Sequence, residues 1–120
     1  MVTAPADCLF CKILAGEIPS TPVYENDAVY CFRDIAPTAP THVLVIPRRH
    51  IENAHHVQDS DADVMAAMMG AAQEVARLEG IDAPERGYRL VMNVGEDAQN
   101  SVPHLHLHVV GGRHLEWPPG

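Results

Sequence analysis

Residues 104–110 read His104-Leu105-His106-Leu107-His108-Val109-Val110, three imidazoles alternating with apolar side chains. A strand repeats every two residues, so the three histidines share one face and Leu105, Leu107 and Val109 share the other. Neighbouring rings then stand about 6.5–7 Å apart along the strand. Imidazole serves near neutral pH as nucleophile, proton carrier or metal ligand. Three uses of the row compete: nucleophilic attack on phosphorus, a metal face, and an inert strand surface. In the first, one ring attacks a phosphoryl group to give a phosphohistidine-type intermediate that water hydrolyses, while its neighbours fix the tautomer and hold phosphate oxygens. The loop Gln99-Asn100-Ser101, directly before the row, offers amides and a hydroxyl for those oxygens or for a leaving group.

A second cluster is Cys8-Leu9-Phe10-Cys11. A redox pair would normally follow a strand, and none is predicted before Cys8. Two unrelated buried thiols is another reading. Half of a structural zinc site is the third, and it needs two more ligands. Cys31, His42, His50, His55, His56, His104 and His114 are available. Cys31 falls in a predicted strand and reads as a small core residue.

The elements that must carry these residues follow from turn and capping signals. Asp7 is placed to cap a short helix over Cys8 to Ala15, closed by Gly16. Pro19 and Pro22 exclude regular structure there. Val23–Glu25 and Ala28–Arg33 read as two strands joined at Asn26-Asp27. After the breaks at Pro37 and Pro40, His42 to Ile46 reads as a central strand covered on both faces and ended by Pro47. Ser60-Asp61-Ala62-Asp63 resembles a capping box opening a long helix to about Leu78. Val64, Met68, Ala71, Val75 and Leu78 form one apolar stripe, and Met65, Met69, Ala72 and Ala76 an adjacent one. That width fits core packing, or core packing plus a second subunit. Gly70 costs ~1 kcal/mol against Ala in a helix interior, which implies close packing around it. Gly80 ends the helix, Arg86-Gly87 opens a strand over Tyr88–Val94, and a polar loop over Gly95–Ser101 leads to the final strand, His104–Val110. Five strands and two helices in blocks predict an α+β fold on an antiparallel sheet.

The 120 residues predict one domain, with Met1 to Asp7 as a loose leader and 111–120 as a tail. No secretory signal or membrane-spanning run is read, so a cytoplasmic protein without a membrane partner is expected. Three cysteines argue against a full disulfide framework. A formal net charge of −8 excludes a general field for nucleic acid but leaves room for a small anion at a local site.

The row matches His-φ-His-φ-His-φ-φ, where φ is apolar, at every position, and so resembles the signature of the histidine triad family. Thr41-His42-Val43-Leu44-Val45-Ile46-Pro47 resembles that family's upstream histidine strand. Gly87-Tyr88-Arg89-Leu90-Val91-Met92-Asn93 and the tail from Gly111-Gly112-Arg113 to Trp117-Pro118-Pro119-Gly120 resemble it as well. The similarity is greatest to the nucleotide-binding phosphoramidase branch. It implies a five-stranded α+β domain with one long and one short helix that pairs into a homodimer. It implies binding of a purine mononucleotide such as AMP and hydrolysis of nucleoside phosphoramidates. By motif position, His106 resembles the nucleophile, His108 its phosphate-bonding partner, His42 the upstream support, and Ser101 the donor to the leaving amine. Asn93, with Gln99 and Asn100, resembles the phosphate side. Leu9, Phe10, Ile13, Phe32, Asp34, Ile35 and Leu44 match positions around the nucleoside, with Asp34 on the ribose. Trp117 resembles a residue that reaches the partner subunit. For a Cys-φ-φ-Cys member the pattern implies structural zinc on Cys8, Cys11, His50 and His104.

Asn100 departs from the family's usual Gln, Pro103 replaces a common aromatic, and Arg33 stands at a variable position where altered ribose contacts are expected. Two rivals to the phosphoramidase reading are a dinucleoside polyphosphate hydrolase of the same family and a nucleotide-binding scaffold with little turnover.

Overall fold

A computed structural model describes residues 7–120, so the expected leader, apart from Asp7, lies outside the described residues. Strands β1 (Pro22–Glu25), β2 (Val29–Arg33), β3 (Thr41–Pro47), β4 (Tyr88–Val91) and β5 (Leu107–Gly111) form one sheet in the order β1-β2-β3-β5-β4. Every neighbouring pair is antiparallel. Two α-helices complete the architecture, the short α1 (Leu9–Leu14) and the long α2 (Ala62–Leu78). This is the expected α+β fold with a five-stranded antiparallel sheet, one long helix and one short. No helix of the described residues is long and apolar enough to cross a membrane.

The central strand β3 is buried at all seven positions, as its run of β-branched residues predicts. Its alternation divides the molecule. Val43 and Val45 join Val29, Cys31, Leu105, Leu107 and Val109 in a core closed by Met68, Ala71, Ala72, Val75 and Ala76 of α2. Leu44 and Ile46 face the other way and pack with Phe32, Phe10 and Cys8 beneath α1. The leucines of the histidine row thus lie on the α2 side, which leaves the imidazoles on the α1 side.

Local details differ from the sequence reading for identifiable reasons. Cys8, not Asp7, caps α1, its Sγ accepting the Cys11 N–H at 3.3 Å. Pro22 does not break structure; it opens β1, an edge strand with an irregular register, where a missing N–H is tolerated. The turn at Asn26-Asp27 forms, with Asn26 Oδ1 accepting from the Ala28 and Val29 amides. The cap of α2 comes one turn early: a short 3₁₀ turn spans Asp59–Asp61, and Asp61 accepts the Gln58 N–H at 2.8 Å. Met69 and Leu78, assigned to the apolar stripes, are 45% and 46% exposed. A Cβ on Gly70 would meet nothing in this chain, so close packing within the subunit does not explain that glycine. β4 ends at Val91, not Val94.

The final strand is also shorter than expected, and the difference matters. Pro103 has no N–H, and the His104 N–H turns back to the Val102 carbonyl at 2.9 Å. The Leu105 N–H goes to the Ile51 carbonyl, outside the ladder. Regular pairing begins at Leu107, so His104 and His106 precede the sheet and only His108 is within it. After Gly111 the chain leaves at Gly112, whose φ of +91° suits only glycine and whose added Cβ would lie 2.9 Å from Pro40 Cβ.

Candidate active site

His106 is 9% exposed, and its Nδ1 lies 2.7 Å from the His104 carbonyl oxygen. A carbonyl only accepts, so Nδ1 carries a proton, and in the neutral ring Nε2 is the nitrogen with the lone pair. The Phe10 ring stands edge-on to His106 at 5.1 Å between centroids and fixes the imidazole plane. His108 follows at 5.0 Å between centroids.

A second tautomer chain runs through β3. The Thr38 backbone N–H donates to His42 Nδ1 at 3.1 Å, so the His42 proton sits on Nε2. That nitrogen lies 2.9 Å from His108 Nδ1 and 3.4 Å from Asp34 Oδ2. His108 Nδ1 therefore accepts, and its Nε2–H is left as a donor. Burial, helped by the neighbouring His106 and His42, pushes His108 down to about 4 against the opposing pull of Asp34. The ring is thus neutral at neutral pH. The ring that His42 contacts directly is His108, its diagonal neighbour across β3 and β5.

Asp34, His42 and His108 also have donor atoms close enough to surround a cation. The tautomers oppose that use. A neutral imidazole binding metal through Nε2 must carry its proton on Nδ1, and His42 Nδ1 is already an acceptor.

The other cluster meets the same test. Donor atoms of Cys8, Cys11, His50 and His104 lie within 4.8 Å of one another. His104 Nδ1 is 3.4 Å from each sulfur and 3.1 Å from His50 Nδ1, and Cys11 Sγ is 3.4 Å from His50 Nδ1. Tetrahedral zinc sets such donors about 3.3–3.8 Å apart. His104 Nε2 lies 2.9 Å from the Pro47 carbonyl, which takes its proton and frees Nδ1 for an ion. Burial pushes His104 down to about 4, so the ring is neutral, as a ligand must be. Burial and the neighbouring Cys8 push the Cys11 thiol up to about 12, so metal uptake there must displace a proton. Two sulfurs and two imidazoles with no fifth donor form a closed, structural zinc site.

The remaining expected residues divide into groups. Phe10, Phe32 and Leu44 are buried, with Phe10 and Phe32 edge to face at 5.5 Å and Ile13 packed against them. Leu9 and Ile35 are open apolar surface, 42% and 99% exposed. Asp34 does two jobs: its Oδ1 accepts the Ala36 N–H at 2.8 Å, a turn bond, while Oδ2 faces His42. Asn93 donates from Nδ2 to the Ala98 carbonyl at 2.8 Å and closes the loop that carries Gln99, Asn100 and Ser101. Gln99 adopts a φ of 58°, and Ser101 is exposed. Trp117 is 80% exposed, with the Arg89 guanidinium of its own chain 5.8 Å from the ring centre. Arg33 does not approach the ribose positions; it points to the α2 face and forks onto Glu79 at 2.8 and 2.9 Å.

A cleft of about 320 Å³ opens beside His42 and His108, walled by Asn93, Arg89, Arg113 and Thr38 among others. Its lining holds two guanidiniums and no carboxylate, in a chain of net charge −8. The sequence reading missed Thr38 and Arg89. Arg89 alternates with Val91 and pairs opposite Val110, so its face was readable once that segment was taken as a strand beside the row. Arg113 holds the Thr38 carbonyl at 3.0 Å and ties the tail to the His42 loop.

Fold and site together define an α+β domain that sets the buried rings of His42 and His106 and the half-buried ring of His108 beside a closed set of metal-binding side chains. The HIT domain family model matches residues 15–115, and the chain belongs to that family. It is 47% identical to a HIT family hydrolase from Legionella pneumophila, with a TM-score of 0.91 over 95% of this chain and 100% of that one. It is 42% identical to a HIT family hydrolase from Clostridium thermocellum, with a TM-score of 0.89 over 94% and 96% of the two chains. A 14 kDa zinc-binding protein of Brassica juncea is 42% identical, across 95% of this chain and 100% of its own length.

The depressed His108 gives a pH prediction. An NMR titration of the ring should place its midpoint near 4. Because the unfolded ring binds its proton at about 6.5, stability present above that pH is lost as pH falls toward the folded value. His108→Gln should remove that part of the loss. A midpoint close to the unfolded value would contradict the assigned burial.

Proposed function

We propose that this chain hydrolyses purine nucleoside phosphoramidates through a nucleotidyl group carried on His106, as in the phosphoramidase branch of the family. The carrying observation is the free Nε2 lone pair of His106, set by the 2.7 Å bond to the His104 carbonyl, beside a neutral His108 with an Nε2–H to donate. Nε2 attacks phosphorus, the P–N bond breaks, and the leaving amine takes a proton, for which Ser101 is the nearest motif donor in sequence. Water then attacks phosphorus and releases a nucleoside monophosphate and the free ring. His108 Nε2–H, Asn93 and the guanidiniums of Arg89 and Arg113 favour the phosphate oxygens. Leu9, Phe10, Ile13, Phe32, Ile35 and Leu44 supply an apolar wall for a purine, and Asp34 supplies a ribose acceptor. The relatives called hydrolases support the reaction class.

Zinc on Cys8, Cys11, His50 and His104 supplies cross-linking of α1 to the segment before β5 and takes no part in the chemistry. Three cysteines outside any disulfide fit a reducing, cytoplasmic compartment. A homodimer fits the open edge of the sheet: among the described strands β4 pairs only with β5, and Leu90, Val91 and Val94, on β4 and just after it, are 37–40% exposed. An exposed Trp117 is then available to a second copy.

Kinetic, metal and mass measurements test this reading. With adenosine 5′-phosphoramidate as substrate, His106→Ala should lower kcat about 10³-fold or more while AMP still binds. Acid quench should trap a nucleotidyl adduct on His106; faster turnover of a diadenosine polyphosphate than of the phosphoramidate would point to the rival hydrolase. Metal analysis should return one zinc per chain, and Cys8→Ser should lower both zinc content and melting temperature. An unchanged melting curve after chelation would remove the metal assignment. Light scattering should report twice the 13.1 kDa chain mass, and a monomer at high concentration would remove the dimer.

A further inference from the structure

The ion pair on the α2 face of the sheet has no place in the chemistry above, yet it grips the His42 loop at both ends. Glu79, directly after α2, receives both guanidinium nitrogens of Arg33, at 2.8 and 2.9 Å, and the Thr41 hydroxyl at 3.2 Å. Arg33 is the last residue of β2 and Thr41 the first of β3. Each stem residue immediately precedes a site residue, Arg33 before Asp34 and Thr41 before His42. At the neck between the stems, the Asp34 N–H donates to the His42 carbonyl at 3.0 Å. The segment 34–40 then carries the Thr38 amide that fixes the His42 tautomer.

We propose that Glu79 is a positioning residue, holding both stems of loop 34–40 from the far face of the sheet and so setting where Asp34 and the Thr38 amide stand relative to His42. The inference rests on the functional reading of that loop given above. Glu79 touches no reacting group. Its carboxylate side chain is 15% exposed, against 44% for Arg33, so the acceptor end of the pair is sheltered. Thr41 is 5% exposed, and its buried hydroxyl has Glu79 as acceptor. The fork onto Arg33, with the Thr41 bond adding to it, holds the Glu79 carboxyl below the usual carboxylate range. A partly exposed ion pair adds little to global stability, whereas a two-pronged guanidinium–carboxylate fork is specific in geometry. Its loss should therefore appear as disorder of the loop more than as loss of the fold. The same network accounts for Arg33 at a position where altered ribose contacts were expected: its effect on the site passes through the backbone of β2.

The test uses Glu79→Gln in the full, metal-loaded chain. Amide hydrogen exchange at Ala36 and Thr38 should quicken about tenfold, because both protons are held inside the loop. The ¹⁵N signals of the His42 ring should move from a single Nε2–H form toward a mixture. With adenosine 5′-phosphoramidate, kcat/KM should fall about fivefold to tenfold. Thr41→Val should repeat the ring and exchange changes in part and Thr41→Ser should not, which decides the matter if Glu79→Gln fails to fold. A lower melting temperature with unchanged exchange and unchanged His42 signals would reduce Glu79 to a stability element and overturn the proposal. A wild-type chain with no phosphoramidate turnover would instead strike the proposed function, and the ring and exchange signals would still judge the clamp.

Discussion

The His104 carbonyl accepts the Nδ1–H of His106 at 2.7 Å, and this bond selects which nitrogen of the buried ring holds a lone pair. The position of that carbonyl is fixed from several directions. The His104 N–H turns onto the Val102 carbonyl, its Nε2–H reaches the Pro47 carbonyl, and its Nδ1 joins the two cysteines and His50. One fully buried residue therefore belongs to the metal-ligand cluster through its ring and to His106, the proposed nucleophile, through its backbone. A closed site of two sulfurs and two imidazoles can in this way bear on the neighbouring His106 ring without touching it as a ligand. It fixes the residue whose carbonyl fixes the tautomer.

The two faces of the sheet divide the work. Toward α2 the sheet is close-packed and apolar, a rigid floor that places strands to within the tolerance of hydrogen bonds. On the opposite face the rings of His42, His106 and His108 sit half-buried to buried, the cleft wall holds no carboxylate, and Asp34 meets His42 outside that wall. Burial there disfavours charge, so His108 is neutral and the chain Thr38–His42–His108 can run as N–H to N contacts in a single direction. An acidic protein thus carries a local cleft with two guanidiniums and no carboxylate in its wall. The Arg33–Glu79–Thr41 contact links the two faces, since it lies on the α2 side while its stems carry residues of the other.

Much of the fold was legible because its signals are local. The alternation from His104 to Val109 assigned each side chain to a face correctly, although regular strand begins only at Leu107. The apolar run of β3, the Asn26 turn and the glycine at Gly80 were readable for the same reason. Less legible were features that depend on competition between neighbours. Cys8 displaced Asp7 as the cap of α1, and Gln58 with Asp61 started the turn before α2. The sequence holds several suitable capping groups in each place, and packing chooses among them.

The sequence by itself determined the elements, the face on which each histidine lies, and a supply of thiols and imidazoles sufficient for a metal centre. A backbone period and a side chain's chemistry are properties of adjacent residues, and no partner is needed to read them. Only the tertiary structure showed that His42 bonds His108 and that Arg33 turns to Glu79, and it brought together the Cys8, Cys11, His50 and His104 set that the family resemblance had implied but that residue chemistry alone left open among several histidines. These pairings join residues 39 to 96 positions apart, and they follow from the register of β3 against β5 and the seating of both helices on the sheet. That register is fixed by the summed packing of both faces, a quantity that no short stretch of sequence contains.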